Sequence, residues 1–134
     1  MGGGKWGVNV RGKLEYLTII EVLSLHKILV QKYGGMDGVR DMGALEAALF
    51  RPQTGYYGDV IEEAAALWES LSQNHPFLDG NKRVALAATY TFLTLNGHRP
   101  KIDTKEAIQY INGLYNSNKF EFKNIEKWLR DKYI

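Results

Sequence analysis

One stretch of the chain holds an unusual concentration of chemically active side chains. The nine residues from His75 to Arg83 have the sequence HPFLDGNKR, which includes an imidazole, a carboxylate, a carboxamide and two adjacent cations. A linker between two helices needs little more than a glycine and a capping residue. For any one of these residues alone a structural role would be the commoner explanation, but the combination indicates a functional site.

The second half of this stretch suits an anion. It lies where an apolar helix is predicted to begin, and a helix N-terminus offers unpaired N–H groups and a partial positive charge. Gly80 has no Cβ, so the backbone can approach a ligand closely. Lys82 and Arg83 oppose the helix dipole at a cost of roughly a few tenths of a kcal/mol. A bound phosphate would reverse the sign of that effect, and local rules are often broken at functional sites.

The first half supplies a base and a metal ligand. His75 is the side chain of this stretch that exchanges a proton near neutral pH, so it could take the proton of an attacking hydroxyl. Asp79 offers hard carboxylate oxygens of the kind that Mg²⁺ prefers. A general base, a metal ligand and a phosphate cradle therefore fall within nine residues, and this is the set that phosphate chemistry needs.

Helical periodicity indicates which elements position the stretch. The capping box that begins at Thr18 predicts the start of a first helix, and two glycines at 34 and 35 predict its end. Further helices are predicted at about 41–51, at 60–73, from within 79–83 to 95, from an N-cap at Thr104 to about 115, and around 128–129. The segment 51–59 is expected to be a loop or a short extended flap, with at most a short hairpin around Gly55. The predicted fold class is all-α, a single bundle of about six helices.

Composition narrows the class of protein. A chain of 134 residues, 45% hydrophobic and 24% charged, is typical of one soluble globular domain. No apolar run approaches the ~20 residues that a transmembrane helix needs. The net charge is only +2 and the basic residues are dispersed, which argues against direct nucleic-acid binding. Residues 1–13 include three consecutive glycines and lack the apolar segment of a secretory signal. We expect a leader or tag there, followed by one domain over 14–134.

Several other chemistries lack support. Cysteine is absent, which excludes thiolate sites and disulfides and suits the cytoplasm. The three histidines do not have the spacing of a zinc site, and the sequence contains no P-loop motif. His26 is expected to be a partly buried, hydrogen-bonded histidine rather than a ligand, and His98 an exposed turn residue.

The stretch from His75 to Arg83 resembles the motif of the Fic/Doc family, written H-x-F-x-D/E-A/G-N-x-R. Residues 35–53 before the motif and 93–97 after it are similar to the death-on-curing (Doc) branch of that family. The resemblance implies a Fic/Doc-type helical bundle with His75 as the catalytic base and Asp79 as the Mg²⁺ ligand. It implies that the phosphates of a nucleotide are held by four residues: Gly80, Asn81, Lys82 and Arg83. The segment 51–59 would be the flap that docks the target protein.

Two positions bear on the reaction. Adenylyl-transferring Fic enzymes usually have a glycine where this chain has Lys82, and an arginine where it has Leu86. Both departures are those of Doc, which phosphorylates elongation factor Tu, so the resemblance implies that the nucleotide binds reversed and offers its γ-phosphate. Gly80 is the Fic-like residue at its position, and adenylyl transfer therefore remains the alternative.

The resemblance thus implies a cytoplasmic toxin of a type II toxin–antitoxin system. It would be a kinase that uses ATP or another NTP with Mg²⁺ to phosphorylate a hydroxyl of a protein such as elongation factor Tu, inhibiting translation. A Phd-like antitoxin would be its partner, with a tail or helix covering the site; neither nucleic acid nor a membrane is expected as a partner. No inhibitory S/T-x-x-x-E/G-N helix stands out in the sequence, so control would come from elsewhere. A third possibility, from a different class, is a catalytically inactive binding module that acts only through its antitoxin complex.

Overall fold

A computed structural model describes residues 14–99, 101 and 103–133. Within these ranges the chain forms six α-helices: α1 Ile19–Tyr33, α2 Met42–Phe50, α3 Val60–Gln73, α4 Asn81–Leu95, α5 Thr104–Asn116 and α6 Phe122–Tyr133. This confirms the all-α bundle predicted from the sequence. The leader predicted at 1–13 lies outside the described residues. No helix in the described ranges combines the length and the apolar character that crossing a bilayer requires.

Side chains cap the starts of α1, α2, α3 and α5. Thr18 forms the predicted capping box at α1, and Asp41 and Asp59 each accept the N–H group three residues further on in α2 and α3. For α5 the predicted cap at Thr104 is wrong by one residue. The side chain of Asp103 takes this role, and Thr104 is the first helical residue. Both residue types are good N-caps, so local preference alone could not separate the two positions.

The segment 51–59 does not form the short hairpin that the sequence allowed. Pro52 lies in a 3₁₀ turn, Arg51–Gln53, that follows α2 directly, and Gly55 has the left-handed backbone of a bend (φ 84°). Proline lacks the N–H group that a strand ladder needs, and its fixed φ suits the first turn of a helix. The side chain of Arg51 then ties the segment to α3, donating to the carboxylate of Glu69 at 2.7 Å.

The core is built around α3, which contacts α2, α4 and α6. Trp68 of α3 is fully buried and meets Trp128 of α6 edge to face, with 5.8 Å between ring centroids. Phe92 of α4 is also buried and stacks on Tyr16 at 5.8 Å. Because α3 and α4 pack along each other, the linker between them is held at both ends.

A matched pair of phenylalanines tests this core. We expect Phe92→Ala to lower the free energy of unfolding by about 3–5 kcal/mol, because the substitution loses a buried ring and leaves a cavity. Phe50→Ala removes the same atoms from a ring that is 62% exposed, and should change the free energy by less than about 0.5 kcal/mol. Urea denaturation followed by circular dichroism measures both. Equal losses in the two variants would contradict the arrangement.

Candidate active site

The linker between α3 and α4 carries the motif on a loop anchored by Phe77. This ring is 1% exposed, and both backbone groups of the residue bind the carboxamide of Asn81. The N–H of Phe77 donates to Oδ1 at 2.9 Å, and Nδ2 donates to the carbonyl of Phe77 at 3.0 Å. Asn81 therefore uses its side chain to hold the loop, and the phosphate contact that the sequence predicted for it would fall to its backbone N–H.

A second segment, 38–41, lies along the other side of the loop. Val39 and Phe77 form an isolated antiparallel bridge. The carbonyl of Pro76 accepts two backbone N–H groups from this segment, at 2.8 and 3.0 Å. These hydrogen bonds connect the loop to the stretch that precedes α2, far away in sequence.

Arg40 supports the turn at His75. The backbone of His75 is left-handed (φ 49°), which is uncommon for a residue other than glycine. The guanidinium of Arg40 donates to the carbonyls of His75 at 2.6 Å and of Asn74 at 2.9 Å, and charge-assisted hydrogen bonds of this kind are strong. The imidazole itself is exposed, and none of the described residues hydrogen-bonds to it. It is therefore free to act as a base.

The carboxylate of Asp79 is oriented by backbone groups. Its Oδ1 accepts the N–H of Gly80 at 2.8 Å and its Oδ2 accepts the N–H of Met36 at 3.1 Å. A Cβ at Gly35 would lie 2.9 Å from Oδ2, so the close approach of the two segments depends on a glycine there. A carboxylate has about four acceptor sites, and both oxygens can take a further partner.

His26 lies buried beneath the loop, with 2% of its surface exposed. Its ring stacks on Phe77, with 3.9 Å between centroids and 9° between planes. Its Nε2 lies 2.8 Å from the carbonyl of Asp79; since a carbonyl only accepts, Nε2 carries the proton. The hydrogen bond predicted for this histidine is confirmed, whereas its burial is nearly complete rather than partial. The sequence did not indicate that the partner is the motif itself.

The helix that follows the loop begins without a capping side chain. Gly80 occupies the N-cap of α4 in a left-handed conformation (φ 76°). The N–H groups of the first turn have no partner within the helix, and Lys82 and Arg83 extend from the same turn as exposed side chains. Uncapped N–H groups beside two cations are the arrangement that an anion prefers.

A cavity of about 460 Å³ opens at this helix end. It is lined by His75, Leu78, Asp79, Gly80, Asn81, Lys82, Arg83 and Leu86, and by Ile108, Ile111 and Asn112 of α5. The volume is in the range of small-molecule sites. All six site residues predicted from the sequence thus line one cavity, whereas the segment 51–59 contributes nothing to its wall. Sequence reasoning missed the wall from α5, because its isoleucines have ordinary core spacing.

The donor set limits how a metal ion could bind. In the described part of the chain no three His, Cys, Asp or Glu side chains cluster so as to hold a metal. Mg²⁺ usually binds through one or two carboxylates together with substrate phosphates and water. The single oriented carboxylate of Asp79 is the kind of donor that this mode of binding would need.

Comparison with known proteins identifies the family of this chain. The sequence model of the Fic/DOC family matches residues 16–93, which contain the entire motif. This chain belongs to the Fic/Doc family. Over 88 residues it is 47% identical to a protein named Toxin Doc from Mycolicibacterium smegmatis, covering 62% of this chain and 65% of that protein. Over 88 residues it is 32% identical to Protein kinase doc of Escherichia phage P1, covering 63% of this chain and 70% of that protein. The chain therefore spans about two thirds of the length of the curated relatives it matches.

The role of His26 can be tested by a substitution that keeps its ring stacking. His26→Phe retains an aromatic ring against Phe77 but leaves the carbonyl of Asp79 without its donor. We expect it to lower the free energy of unfolding by about 1–2 kcal/mol and to speed amide hydrogen exchange in residues 77–81. His98→Phe, the same change at a half-exposed position, should alter stability by less than about 0.5 kcal/mol. Unchanged exchange in His26→Phe would show that the hydrogen bond does not hold the loop.

Proposed function

We propose that this chain is the toxin of a toxin–antitoxin system and a kinase. It transfers the γ-phosphoryl group of ATP, or of another NTP, to a hydroxyl of a protein. The observation that carries the proposal is the cavity at an uncapped helix N-terminus whose wall holds His75, Asp79, Lys82 and Arg83. Membership of the Fic/Doc family and the printed names of the two relatives support it. By the resemblance of its sequence, the target is elongation factor Tu and the consequence is inhibited translation in the cytoplasm.

The first turn of α4 binds the phosphates of the nucleotide in this proposal. Gly80 leaves the approach to the turn open, and the backbone N–H groups that follow donate to phosphate oxygens. Lys82 adds a point charge, and the planar guanidinium of Arg83 can donate two parallel hydrogen bonds. When bound at Asp79, Mg²⁺ would neutralise part of the charge on the phosphate oxygens.

His75 acts as the general base. Its neutral imidazole accepts the proton of the target hydroxyl while the hydroxyl oxygen forms a bond to the γ-phosphorus. The bond from the γ-phosphorus to the bridging oxygen breaks, and the nucleoside diphosphate leaves. Arg40 holds the carbonyl groups on both sides of the turn, so the imidazole keeps its position at the cavity wall without using its own nitrogen atoms.

Leu86 favours phosphoryl transfer over adenylyl transfer. It is 6% exposed and forms part of the cavity wall, at the position where adenylyl-transferring relatives are expected to have a second arginine. An apolar side chain there offers no charge to an additional phosphate. Adenylyl transfer is the second candidate, because Gly80 is the Fic-like residue at its position. A binding module without activity is the third candidate. The imidazole of His75, which is exposed and has no hydrogen-bond partner among the described residues, argues against it.

The proposal includes control by a Phd-like antitoxin that covers the site. The cavity is open enough for a ligand and is rimmed by cations, since Lys82 and Arg83 are exposed. An antitoxin segment that carries acidic side chains would be attracted to this rim.

Labelled nucleotides test the reaction. We expect the purified protein to transfer label from γ-labelled ATP, and none from α-labelled ATP, to elongation factor Tu. His75→Ala should lower the rate by about 100- to 10,000-fold, as loss of a general base does, and His98→Ala should leave it unchanged. Transfer of the α-label would favour the adenylyltransferase. The enzymatic proposal is wrong if neither label is transferred and His75→Ala behaves as the wild type does, including in growth arrest on expression.

A magnesium titration tests Asp79. Asp79→Asn keeps the shape of the side chain and removes its charge, so we expect the Mg²⁺ concentration for half-maximal transfer to rise by about tenfold or more. Asp131→Asn is the matched control, because Asp131 is exposed on α6 and does not line the cavity. An unchanged Mg²⁺ requirement in Asp79→Asn would show that the metal is held elsewhere.

A further inference from the structure

Each cation of the motif lies against an aromatic ring that belongs to another helix. The ammonium of Lys82 is 4.1 Å from the ring centroid of Tyr115 in α5. The guanidinium carbon of Arg83 is 4.7 Å from the ring centroid of Tyr33, at the end of α1. Both distances are within the ~6 Å over which a ring face attracts a cation. Two neighbouring cations are thereby directed towards two different helices.

The ring of Tyr115 is itself fixed. It stacks on Phe120, with 4.4 Å between centroids and 10° between planes, and Phe120 is 5% exposed. Burial raises the pKa of the Tyr115 hydroxyl, so the side chain stays a neutral phenol. Tyr33, by contrast, is 54% exposed. Tyr115 is therefore the more rigid support of the two.

No carboxylate competes for these cations in the described part of the chain. The ion pairs among the described residues involve other lysines, arginines and a histidine. Neither Lys82 nor Arg83 takes part in any of them. An ammonium has three N–H donors, and those that point away from the ring stay available. Lys82 is thus held in place while it keeps its capacity to donate to phosphate oxygens.

Preordering matters more for lysine than for most side chains. Its four-carbon stem has many rotamers, and a ligand that must order it loses affinity as a result. A side chain already held at the cavity wall loses less of this freedom on binding. Tyr115 lies one turn after Asn112, which lines the cavity, and it lies beyond residues 16–93 that match the family.

We propose that Tyr115 is a positioning residue for Lys82, whose ammonium it holds at the cavity before an anion arrives. The inference rests on the proposed function, since it takes the anion to be the polyphosphate of a nucleotide. Tyr115 is not among the residues that line the cavity, so it would act through Lys82. Its effect is therefore on binding rather than on the chemical step.

The contact can be measured in the full-length protein without any substitution. A proton over the face of an aromatic ring resonates upfield, so the ε-methylene protons of Lys82 should be shifted upfield in the wild type. We expect the shift to persist in Tyr115→Phe and to disappear in Tyr115→Leu. Lysine-like chemical shifts for Lys82 in the wild type, as in an unfolded peptide, would overturn the proposal whatever the variants do.

Calorimetric titration with ATP and Mg²⁺ measures the consequence for binding. We expect Tyr115→Leu to raise the Kd about fivefold, the effect of losing a partly exposed cation–π contact. The kcat of the label-transfer reaction should stay nearly unchanged. Tyr115→Phe keeps the ring face and should stay within about twofold of the wild type. In a Lys82→Met background, Tyr115→Leu should have no further effect, because its action passes through Lys82.

The outcomes separate this inference from the proposed function. If the wild type binds ATP and Tyr115→Leu binds equally well, or if the two substitutions add in full, the positioning role is wrong and the kinase proposal stands. If the α-label rather than the γ-label is transferred, but the effects of Tyr115→Leu and Lys82→Met are not additive, the kinase proposal is wrong and the positioning role stands. A wild type that binds no ATP overturns both. Thermal unfolding, with the Tm of each variant, checks that Tyr115→Leu remains folded at the titration temperature.

Discussion

The site depends on the burial of Phe77. Its ring is enclosed with His26, and both of its backbone groups are bound by the carboxamide of Asn81. A seven-residue connection with its centre fixed in this way has few alternative conformations. The polar side chains on both sides are consequently held at the cavity wall by the packing of the protein itself. A site of this kind is ordered before it is occupied, which is the condition for precise chemistry.

Several local features next to Phe77 are unfavourable for stability. Gly80 leaves α4 without a side-chain cap, and the two cations of the first turn oppose its dipole. The left-handed backbone of His75 costs on the order of 1–3 kcal/mol. Arg40 and the packing of α3 on α4 offset these terms from outside the motif. These three unfavourable features lie within a few residues, whereas α1, α2, α3 and α5 each begin with a capping side chain.

The sequence predicts the parts of the site that are contiguous and misses those that meet only through folding. The six predicted site residues fall within the nine positions 75–83, so their proximity follows from their spacing. Arg40 and His26 reach the loop from distant segments, and their residue types have many structural roles, so nothing local indicates their partners. The short hairpin that the sequence allowed around Gly55 is not formed, for a related reason. Glycine and proline are common both in 3₁₀ turns and in hairpins, so these residues alone do not distinguish the two. In the structure the segment forms a 3₁₀ turn, and the side chain of Arg51 contacts α3.

The cavity joins two parts of the chain that differ in what they contribute. Residues 75–86, inside the region matched by the family, supply the charged and titratable side chains. The wall from α5 lies beyond that region and supplies two isoleucines and the amide of Asn112. In the proposed function, the groups that meet phosphates need fixed charge and geometry, whereas a largely apolar wall can vary in shape without disturbing them. The wall from α5 can therefore differ in shape without moving the charged side chains of the motif.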